Sequence, residues 1–220
     1  GDRVGIYFTE IGSGQRASKV LYDRKYSSFS MANANDYDWD TILKGCGWFH
    51  SSGIVPAVSK EASNSLFKAI DKLSDKTVFS VDLNYRSKLW DWVNKGKLSV
   101  KSIMDKICSR TNIIFSNETD INDVFNLEAA NDLSTIKWLF GRFKNLKILA
   151  LSNRQSLSAS KNIWSGKMFV KSKGEVKEYQ STKYDLAGIK DRVGSGDAFA
   201  SGIIFGIIKY GNHYQKILDF

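Results

Sequence analysis

The chain has few of the residues that build disulfide scaffolds and metal centres. Its 220 residues include only two cysteines, Cys46 and Cys108, and only two histidines, His50 and His213. The thiols lie far apart and show no metal-ligand spacing, which argues against a zinc site and against a disulfide-stabilised scaffold. We therefore expect a reduced, cytoplasmic protein in which both thiols pack as small apolar side chains.

The sequence also lacks long apolar runs, internal repeats and low-complexity segments. No run approaches the length of a membrane span and no signal sequence opens the chain, so we expect no membrane partner. Basic residues outnumber acidic ones by 32 to 23, and the net charge of +9 favours anionic ligands such as nucleotides. Because these basic residues are scattered and form no block interleaved with aromatics, we expect no nucleic-acid partner.

What is present fits a globular protein with one sizeable core, since 42% of residues are hydrophobic and 25% are charged. Two strand-like segments, 3–8 and 18–24, flank a polar turn at 12–15. We assign residues 1–30 to a small β-sheet on this basis. From about residue 36 strands alternate with apolar stripes at helical spacing, which predicts a mostly parallel sheet covered by helices on both faces across 31–220.

Polar residues follow several of the predicted strands. In a parallel sheet such residues meet at one edge, where ligands bind, so Asp82, Asn117 and Asp191 should converge there. Strands are predicted at 48–54, 78–83, 113–115 and 147–151, a hairpin at 164–179 that turns at Gly174, and helices within 62–73, 103–108, 136–143 and 199–208.

Residues 191–197, Asp-Arg-Val-Gly-Ser-Gly-Asp, are the most informative segment, and an apolar helical run follows them. Gly194 and Gly196 let the backbone approach an anion closely, and the helix behind them presents unpaired N–H groups and a positive dipole end. The Asp197 carboxylate at such a site is poorly explained by anion binding alone. It is explained if Asp197 takes a proton from a hydroxyl that attacks a phosphate. The structural alternative is a glycine-rich turn in which the acid only complements the helix dipole.

Together these motifs resemble the ribokinase/PfkB family of sugar kinases, over nearly the whole chain. The family signature Asp-x-x-Gly-x-Gly-Asp matches residues 191–197, and the spelling Asp-Arg-Val is typical of the branch that acts on 2-keto-3-deoxygluconate. Further segments of that branch are Gly-Ile-Tyr-Phe at 5–8, Tyr-Asp-Arg at 22–24, Phe-His-Ser-Ser-Gly-Ile at 49–54, Asp-Leu-Asn-Tyr-Arg at 82–86 with Leu-Trp at 89–90, and Ser-Ala-Ser at 158–160.

The resemblance implies a ribokinase-like doubly wound α/β fold in which residues 1–30 belong to a small β lid. It implies that ATP and Mg²⁺ are used to phosphorylate the terminal hydroxyl of 2-keto-3-deoxygluconate. In that reaction Asp197 is the base, and the amides of Gly194, Ser195 and Gly196 form the anion hole.

By the same resemblance, four residues contact the sugar acid besides Asp197. Arg86 binds the substrate carboxylate through two parallel hydrogen bonds, which a planar guanidinium can make and a lysine cannot. Tyr7, Tyr22 and Arg24 are lid residues that close over the substrate and exclude water. The alternatives are that Arg86 pairs locally at the surface, and that the lid aromatics stabilise the ribbon or a dimer interface.

Residues 117–120, Asn-Glu-Thr-Asp, stand where the family has Asn-x-x-Glu, an element that organises Mg²⁺ and phosphates through water. Asp120 is one methylene shorter than the family's acid, which puts a metal role for it in doubt and leaves Glu118 as a substitute. The same four residues are also typical of an ordinary helix start.

The resemblance further places Asn117, Ser152, Arg154, Gly194 and Gly196 at the nucleotide. Residues 152–156, Ser-Asn-Arg-Gln-Ser, replace a stretch that is commonly Thr-Leu-Arg-Glu-Ser in the family. His50, within a predicted buried strand, is interpreted as a core residue.

Family members begin with strands, lid segments and a glycine-rich substrate loop, and they continue past the last helix seen here. The chain therefore looks like an internal portion of a kinase. Two alternatives remain open. One is a kinase for a neutral sugar such as fructose or ribose, and the other is a non-catalytic protein that binds a nucleotide or a sugar acid, including a truncated remnant that acts as a dimerisation or regulatory module. A homo-oligomer formed through the lid is also expected.

Overall fold

A computed structural model of the chain describes residues 2–12, 16–93, 99–127, 133–191 and 193–220. Residues 13–15 of the polar turn predicted at 12–15 lie outside the described residues. Within the described ranges the strands form two separate sheets, one of two strands and one of seven.

The smaller sheet is an antiparallel ribbon of β1 (Ile6–Glu10) and β2 (Lys19–Asp23). Tyr7 lies directly opposite Tyr22, so the two rings share one face of the ribbon. Where the ribbon meets the following chain, the Arg3 guanidinium donates two hydrogen bonds, of 2.8 and 2.6 Å, to the Asp23 carboxylate.

The larger sheet carries the rest of the chain. Its strands are β3 (Trp48–Ser52), β4 (Val78–Asp82), β5 (Ile113–Ser116), β6 (Ile148–Ser156), β7 (Lys161–Ser172), β8 (Glu175–Gln180) and β9 (Tyr184–Ala187). The spatial order is β3-β4-β5-β6-β7-β8, with β9 also paired to β7. The pairs from β3 to β6 are parallel, because helical crossovers join those strands, and the pairs made by β7 are antiparallel.

The described helices are α1 (Ser28–Met31), α2 (Trp39–Ile42), α3 (Ile54–Val58), α4 (Lys60–Lys72), α5 (Val100–Cys108), α6 (Glu118–Phe125), α7 (Leu133–Arg142), α8 (Ser195–Tyr210) and α9 (Tyr214–Asp219). Local sequence sets their ends. Ser59 accepts a 3.0 Å hydrogen bond from the amide of Ala62 at the start of α4, and Asn117 caps α6 in the same way through the amide of Asp120. Gly211, with φ of 62°, ends α8 as a glycine at that position predicts.

Helices cover both faces of the large sheet. Phe79, Val81 and Leu149 point to the face on which α4, α5, α6 and α7 pack. Their neighbours along the strands point the other way, toward α8 and α9, and include Val78 and Ala150. This alternation is the expected result of strand geometry, and it leaves the sheet edge beyond the strand ends free to hold a site.

The predicted α/β architecture is confirmed: a mixed, mostly parallel central sheet with helices on both faces, and a small antiparallel sheet. One difference is the length of β6, which runs to Ser156 and not to residue 151. Its exposed polar second half is held by pairing with β7, as between Arg154 and Trp164. None of the helices within the described residues has the length and apolarity that a membrane crossing requires.

Candidate active site

A cavity of about 530 Å³ lies between the β1–β2 ribbon and the carboxyl ends of β4 and β5. Nearly all of the residues that the sequence singled out line this one cavity. They are Tyr7, Tyr22, Arg24, Arg86, Asn117, Asp120, Ser152, Arg154, Gly194, Ser195, Gly196 and Asp197. The predicted convergence of Asp82, Asn117 and Asp191 is also found here. Glu118, the substitute proposed for Asp120, is not among the lining residues.

The amino end of α8 forms one wall of the cavity. Gly194 is the residue before the helix, and its φ of 82° is a left-handed conformation that favours glycine. Asp191 accepts a 2.9 Å hydrogen bond from the amide of Val193, which shapes the turn that leads to it. The first amides of the 16-residue helix therefore open into the cavity at its positive dipole end, which is an arrangement suited to an anion.

Asp197 lies in the first turn of α8, three residues after Gly194, and its side chain is exposed. It lines this cavity and also a second cavity, of about 540 Å³, next to it. A carboxylate thus stands beside the amides that would hold an anion, in a position reached from both spaces.

Asp82 is a site residue to which the sequence motifs assign no role. It is the last residue of β4, and its carboxylate accepts a 3.1 Å hydrogen bond from the amide of Asn84, whose φ of 38° is left-handed. Burial, together with the negative charges of Asp120 and Asp197, raises the pKa of Asp82 to about 7, against the opposing effects of the Asn84 amide and the Arg86 charge. Its position at the end of a buried apolar strand was the available signal.

Asp120 lies deeper in the wall, with 8% of its surface exposed. Its carboxylate accepts a 3.0 Å hydrogen bond from the amide of Tyr85 and lies 3.8 Å from the Arg86 guanidinium. Burial raises the pKa of Asp120, while the Tyr85 amide and the Arg86 charge counteract that rise. Asp120 therefore anchors the loop after β4 and still reaches the cavity.

Arg86 extends into the cavity from that loop, with 43% of its side chain exposed. Its guanidinium donates a 2.7 Å hydrogen bond to the carbonyl of Tyr85 in addition to the long contact with Asp120. The local pairing considered as an alternative is thus present, but it occupies only part of a fork with five N–H donors.

The ribbon closes the cavity from the opposite side. Tyr7 and Tyr22 both line it, and the Arg24 guanidinium lies 5.9 and 5.4 Å from the centroids of their rings. Such cation–π contacts keep a positive charge at the cavity without neutralising it by an acid.

The wall near β5 and β6 carries the residues predicted at the nucleotide. Asn117 caps α6, Ser152 donates a 3.5 Å hydrogen bond to the carbonyl of Ser116, and Arg154 projects from β6. Lys190, which lies outside the sequence motifs, also lines this part of the cavity and adds a cation to it.

His50 is not the core residue that the sequence suggested. It is exposed on β3, which lies at the edge of the sheet, and its Nδ1 lies 2.8 Å from the hydroxyl of Ser80. Of the two cysteines, Cys108 is buried and Cys46 is half-buried, and both are free thiols.

Comparison with known proteins supports the resemblance. A profile of the pfkB family carbohydrate kinases matches residues 1–220. The structure of 2-dehydro-3-deoxygluconokinase from Thermotoga maritima is similar, with a TM-score of 0.87 and 36% identity over 99% of this chain and 64% of that chain. The 2-dehydro-3-deoxygalactonokinase of Haloferax volcanii is 30% identical over 57% of this chain and 38% of its own length. A 5-dehydro-2-deoxygluconokinase of Clostridium botulinum is 23% identical over 95% of this chain and 57% of its own length.

The chain therefore spans between 38% and 64% of the length of these three relatives. The family match, by contrast, covers the whole chain and includes the signature at 191–197. The chain belongs to the pfkB family of carbohydrate kinases.

Proposed function

We propose that this chain carries the active site of an ATP-dependent kinase for a keto-deoxy sugar acid of the 2-keto-3-deoxygluconate type. The observation that carries the proposal is the meeting, in one cavity, of the Asp197 carboxylate, the amino end of α8 and the Arg86 guanidinium. These groups provide a base, an anion site and a carboxylate-binding cation.

In the proposed reaction the terminal hydroxyl oxygen of the sugar acid attacks the γ-phosphorus of ATP in line. The new O–P bond forms as the bond to the β-phosphate bridging oxygen breaks, ADP leaves, and the hydroxyl proton passes to Asp197. The amides of Gly194, Ser195 and Gly196 stabilise the charge on the transferring group without reorganising. Loss of one such donor typically costs ~3 kcal/mol in the barrier.

The acid end of the substrate is assigned to the cations of the opposite wall. Arg86 approaches the cavity from the β4 loop, where its ion pair with Asp120 is long at 3.8 Å, and Arg24 approaches from the ribbon, where it lies over the rings of Tyr7 and Tyr22. A neutral sugar has no anionic group for either guanidinium to bind. The names of the three relatives, which are all dehydro-deoxy sugar-acid kinases, also favour a sugar acid.

The residues present fit a Mg²⁺ ion bound with ATP. Within the described ranges no group of three or more acidic, histidine or cysteine side chains could hold a metal by itself. Asp82 and Asp120, however, are two carboxylates in one cavity, each with a raised pKa, so a nearby divalent cation would favour their charged forms. Mg²⁺ usually keeps several waters and binds through one or two carboxylates plus phosphate oxygens, and it would neutralise phosphate charge here.

The nucleotide is assigned to the side of the cavity lined by Asn117, Ser152 and Arg154, adjacent to the amino end of α8. The sugar acid is assigned to the side covered by Tyr7 and Tyr22. In this arrangement the ribbon excludes water from the transferring phosphoryl group, which limits wasteful hydrolysis of ATP.

The substrate assignment is tested by ADP release from Mg·ATP with 2-keto-3-deoxygluconate, its galactonate epimer, fructose and ribose. We expect turnover with the two sugar acids only. Arg86→Ala should raise KM for the sugar acid at least tenfold and leave KM for ATP within twofold, whereas Arg110→Ala, an exposed arginine after α5, should change neither.

Turnover with fructose or an unchanged KM in Arg86→Ala would contradict the carboxylate assignment. The non-catalytic alternative makes a different prediction. It requires binding of Mg·ATP or the sugar acid by calorimetry together with no ADP release for any sugar.

A further inference from the structure

The loop that follows β4 is held to the cavity wall by two acids. The amide of Asn84 donates a 3.1 Å hydrogen bond to Asp82, and the next amide, of Tyr85, donates a 3.0 Å hydrogen bond to Asp120. Asn84 has a φ of 38°, a left-handed conformation that persists only where the surrounding structure holds it. Consecutive amides of a strained loop are therefore fixed by carboxylates from two different elements, β4 and α6.

The contacts of Tyr85 fix one side of the Arg86 guanidinium. The Tyr85 amide donates to Oδ2 of Asp120, and the Tyr85 carbonyl accepts a 2.7 Å hydrogen bond from Nη1 of Arg86. The same Nη1 lies 3.8 Å from the same Oδ2. The Asp120 carboxylate, the backbone of Tyr85 and Nη1 of Arg86 thus form a closed group of contacts.

Asp120 is a fixed point for this group. It lies in the first turn of α6, where its own amide donates a 2.8 Å hydrogen bond to the side chain of Asn117, the residue that caps the helix. Only 8% of its surface is exposed. A buried acid on a capped helix has little freedom to move, so the loop and Nη1 are tied to a rigid element.

These contacts engage only one side of the guanidinium. Within the part of the chain that the structure describes, no hydrogen bond is made by Nε or Nη2 of Arg86. Those two groups form one of the edges through which arginine binds a carboxylate by parallel hydrogen bonds. Arg142 uses the same edge, since its Nε and Nη2 donate to the two oxygens of Asp105 at 2.9 and 2.5 Å. Arg86 lines the cavity, where the corresponding edge can receive a ligand.

We propose that Asp120 is a positioning residue for Arg86, which it holds by Nη1 so that the Nε–Nη2 edge binds the carboxylate of the sugar acid side-on. This role rests on the proposed function, because it assumes that Arg86 binds the acid end of the substrate. A guanidinium that is held in advance loses less conformational freedom when the substrate binds, and its affinity for the carboxylate is higher for that reason.

The sequence leaves a metal role for Asp120 in doubt, because this acid is one methylene shorter than the glutamate of the family. Its contacts with Tyr85 and Arg86 join it to the sugar-acid side of the cavity. Mg²⁺ needs only one or two carboxylates besides phosphate oxygens, so Asp82 can serve a cation while Asp120 holds the loop.

A double-mutant cycle tests whether Asp120 acts through Arg86. Calorimetry gives the Kd of 2-keto-3-deoxygluconate for the native chain, Asp120→Ala, Arg86→Ala and the double variant. We expect Asp120→Ala to raise this Kd about fivefold or more in the native background and less than about twofold in the Arg86→Ala background, where the guanidinium is already gone. Equal effects in the two backgrounds would overturn the proposal.

Two further variants separate this role from a general charge effect and from a metal role. Asp123 is exposed and lies three residues further along α6, so Asp123→Asn removes the same charge from the same helix, and we expect the sugar-acid Kd to stay within about twofold of native. The isosteric Asp120→Asn keeps an oxygen for the Tyr85 amide, and its Kd should lie between those of the native chain and Asp120→Ala. If Asp120→Asn raises the Mg²⁺ concentration needed for half-maximal rate and leaves the sugar-acid Kd unchanged, Asp120 serves the metal and the proposal is wrong.

The arrangement can also be measured without a substrate. The ¹⁵N signals of the Arg86 guanidinium are assigned with Arg86→Lys. We expect rotation about the Cζ–Nε bond to be slow in the native chain, so that Nη1 and Nη2 give separate signals, and to be faster in Asp120→Ala. Averaged Nη signals in the native chain would contradict the fixed position of Nη1.

The two proposals can fail separately. Turnover of the sugar acids together with equal effects of Asp120→Ala in both backgrounds would leave the proposed function and remove the role of Asp120. A held Nη1 that is released in Asp120→Ala, together with no turnover of any sugar, would leave the anchoring of Arg86 and remove the proposed function.

Discussion

At the scale of single residues, Asp82, Asp120 and Asp197 place three carboxyl groups in the wall of one cavity. Their mutual repulsion is only partly offset by Arg86, which lies 3.8 Å from Asp120 and lowers the pKa of Asp82 as the weakest of several effects. The cavity is therefore destabilised as these acids ionise, and a bound cation would relieve that cost. Raised carboxyl pKa values of this kind are typical of functional sites.

The sign of the pH effect follows from the raised pKa of Asp82. An acid whose pKa is higher in the folded state than in the unfolded state stabilises the fold fully at a pH below its unfolded pKa. For Asp82, whose folded pKa is about 7, that contribution is lost as the pH rises through 7. Without added Mg²⁺, we expect the free energy of unfolding of the native chain to fall by a few kcal/mol from pH 5 to pH 8. Each tenfold difference in proton affinity between the folded and unfolded states is worth about 1.4 kcal/mol.

Asp82→Asn should reduce that fall, since asparagine does not ionise. The measurement is urea unfolding at both pH values for the two proteins. An equal pH dependence in the native chain and the variant would show that Asp82 ionises at its ordinary pKa.

At the scale of elements, the backbone conformation at the amino end of α8 shapes the site. Gly194 supplies a left-handed residue before the helix, and its carbonyl accepts a 2.8 Å hydrogen bond from the amide of Ala198.

The backbone approaches another segment closely at Gly53, where an added Cβ would overlap the carbonyl of Leu83. Gly53 also donates a 2.7 Å hydrogen bond to the carbonyl of Asp82, so it joins β3 to the site end of β4.

Two glycines of the same element make a matched test. Gly194→Ala should destabilise the chain by about 1–2 kcal/mol, because alanine is disfavoured at a φ of 82°. Gly202→Ala, inside α8 with no atom within 4 Å of the added methyl group, should stabilise it by about 0.5–1 kcal/mol. Urea unfolding measures both, and equal effects at the two positions would mean that the left-handed turn is not needed.

At the scale of the whole molecule, the β1–β2 ribbon has two unlike faces. Tyr7 and Tyr22 face the cavity, whereas Ile6, Phe8 and Leu21 are 43%, 56% and 66% exposed to solvent. Exposed apolar side chains grouped on one ribbon indicate an interaction surface. A homo-oligomer formed through the lid, as expected from the sequence, would cover this face.

Sedimentation velocity tests the dimer. We expect the native chain to sediment as a dimer and Phe8→Lys, on the outer face of the ribbon, to sediment as a monomer. Ile208→Lys changes a residue of α8 that is 69% exposed, and it should leave the dimer intact. A native chain that sediments as a monomer would contradict the dimer. A dimer that survives Phe8→Lys but not Ile208→Lys would place the interface on α8 and not on the ribbon.

The architecture is predictable from the sequence because local patterns carry it. Alternating strands and apolar stripes predict the layered fold, the turn at Gly174 predicts the β7–β8 hairpin, and Gly211 predicts the end of α8. The outer half of β6 is not predicted, because Ser152–Ser156 are held by pairing with β7 and not by an apolar pattern.

The site is predictable only where its residues follow strands or match the family signature. The cavity unites those residues, but the raised pKa of Asp82 arises from its burial and from the charge of Asp120, which α6 supplies from a distant part of the sequence. The core prediction for His50 rests on its apolar neighbours and is wrong. The sequence does not show that β3 lies at the sheet edge, or that Ser80 of another strand fixes the ring.

The central claim is that Asp197 is the base of a phosphoryl transfer to a sugar acid. Its most direct test is single-turnover ADP formation with 2-keto-3-deoxygluconate in the native chain and in Asp197→Asn, with Mg·ATP affinity measured alongside by calorimetry. We predict a loss of about 10²–10⁴ in rate, with affinity for Mg·ATP within a few fold of native. A variant that reacts at the native rate, or one that keeps its fold and loses ATP binding instead, would contradict the assignment of Asp197 as the base.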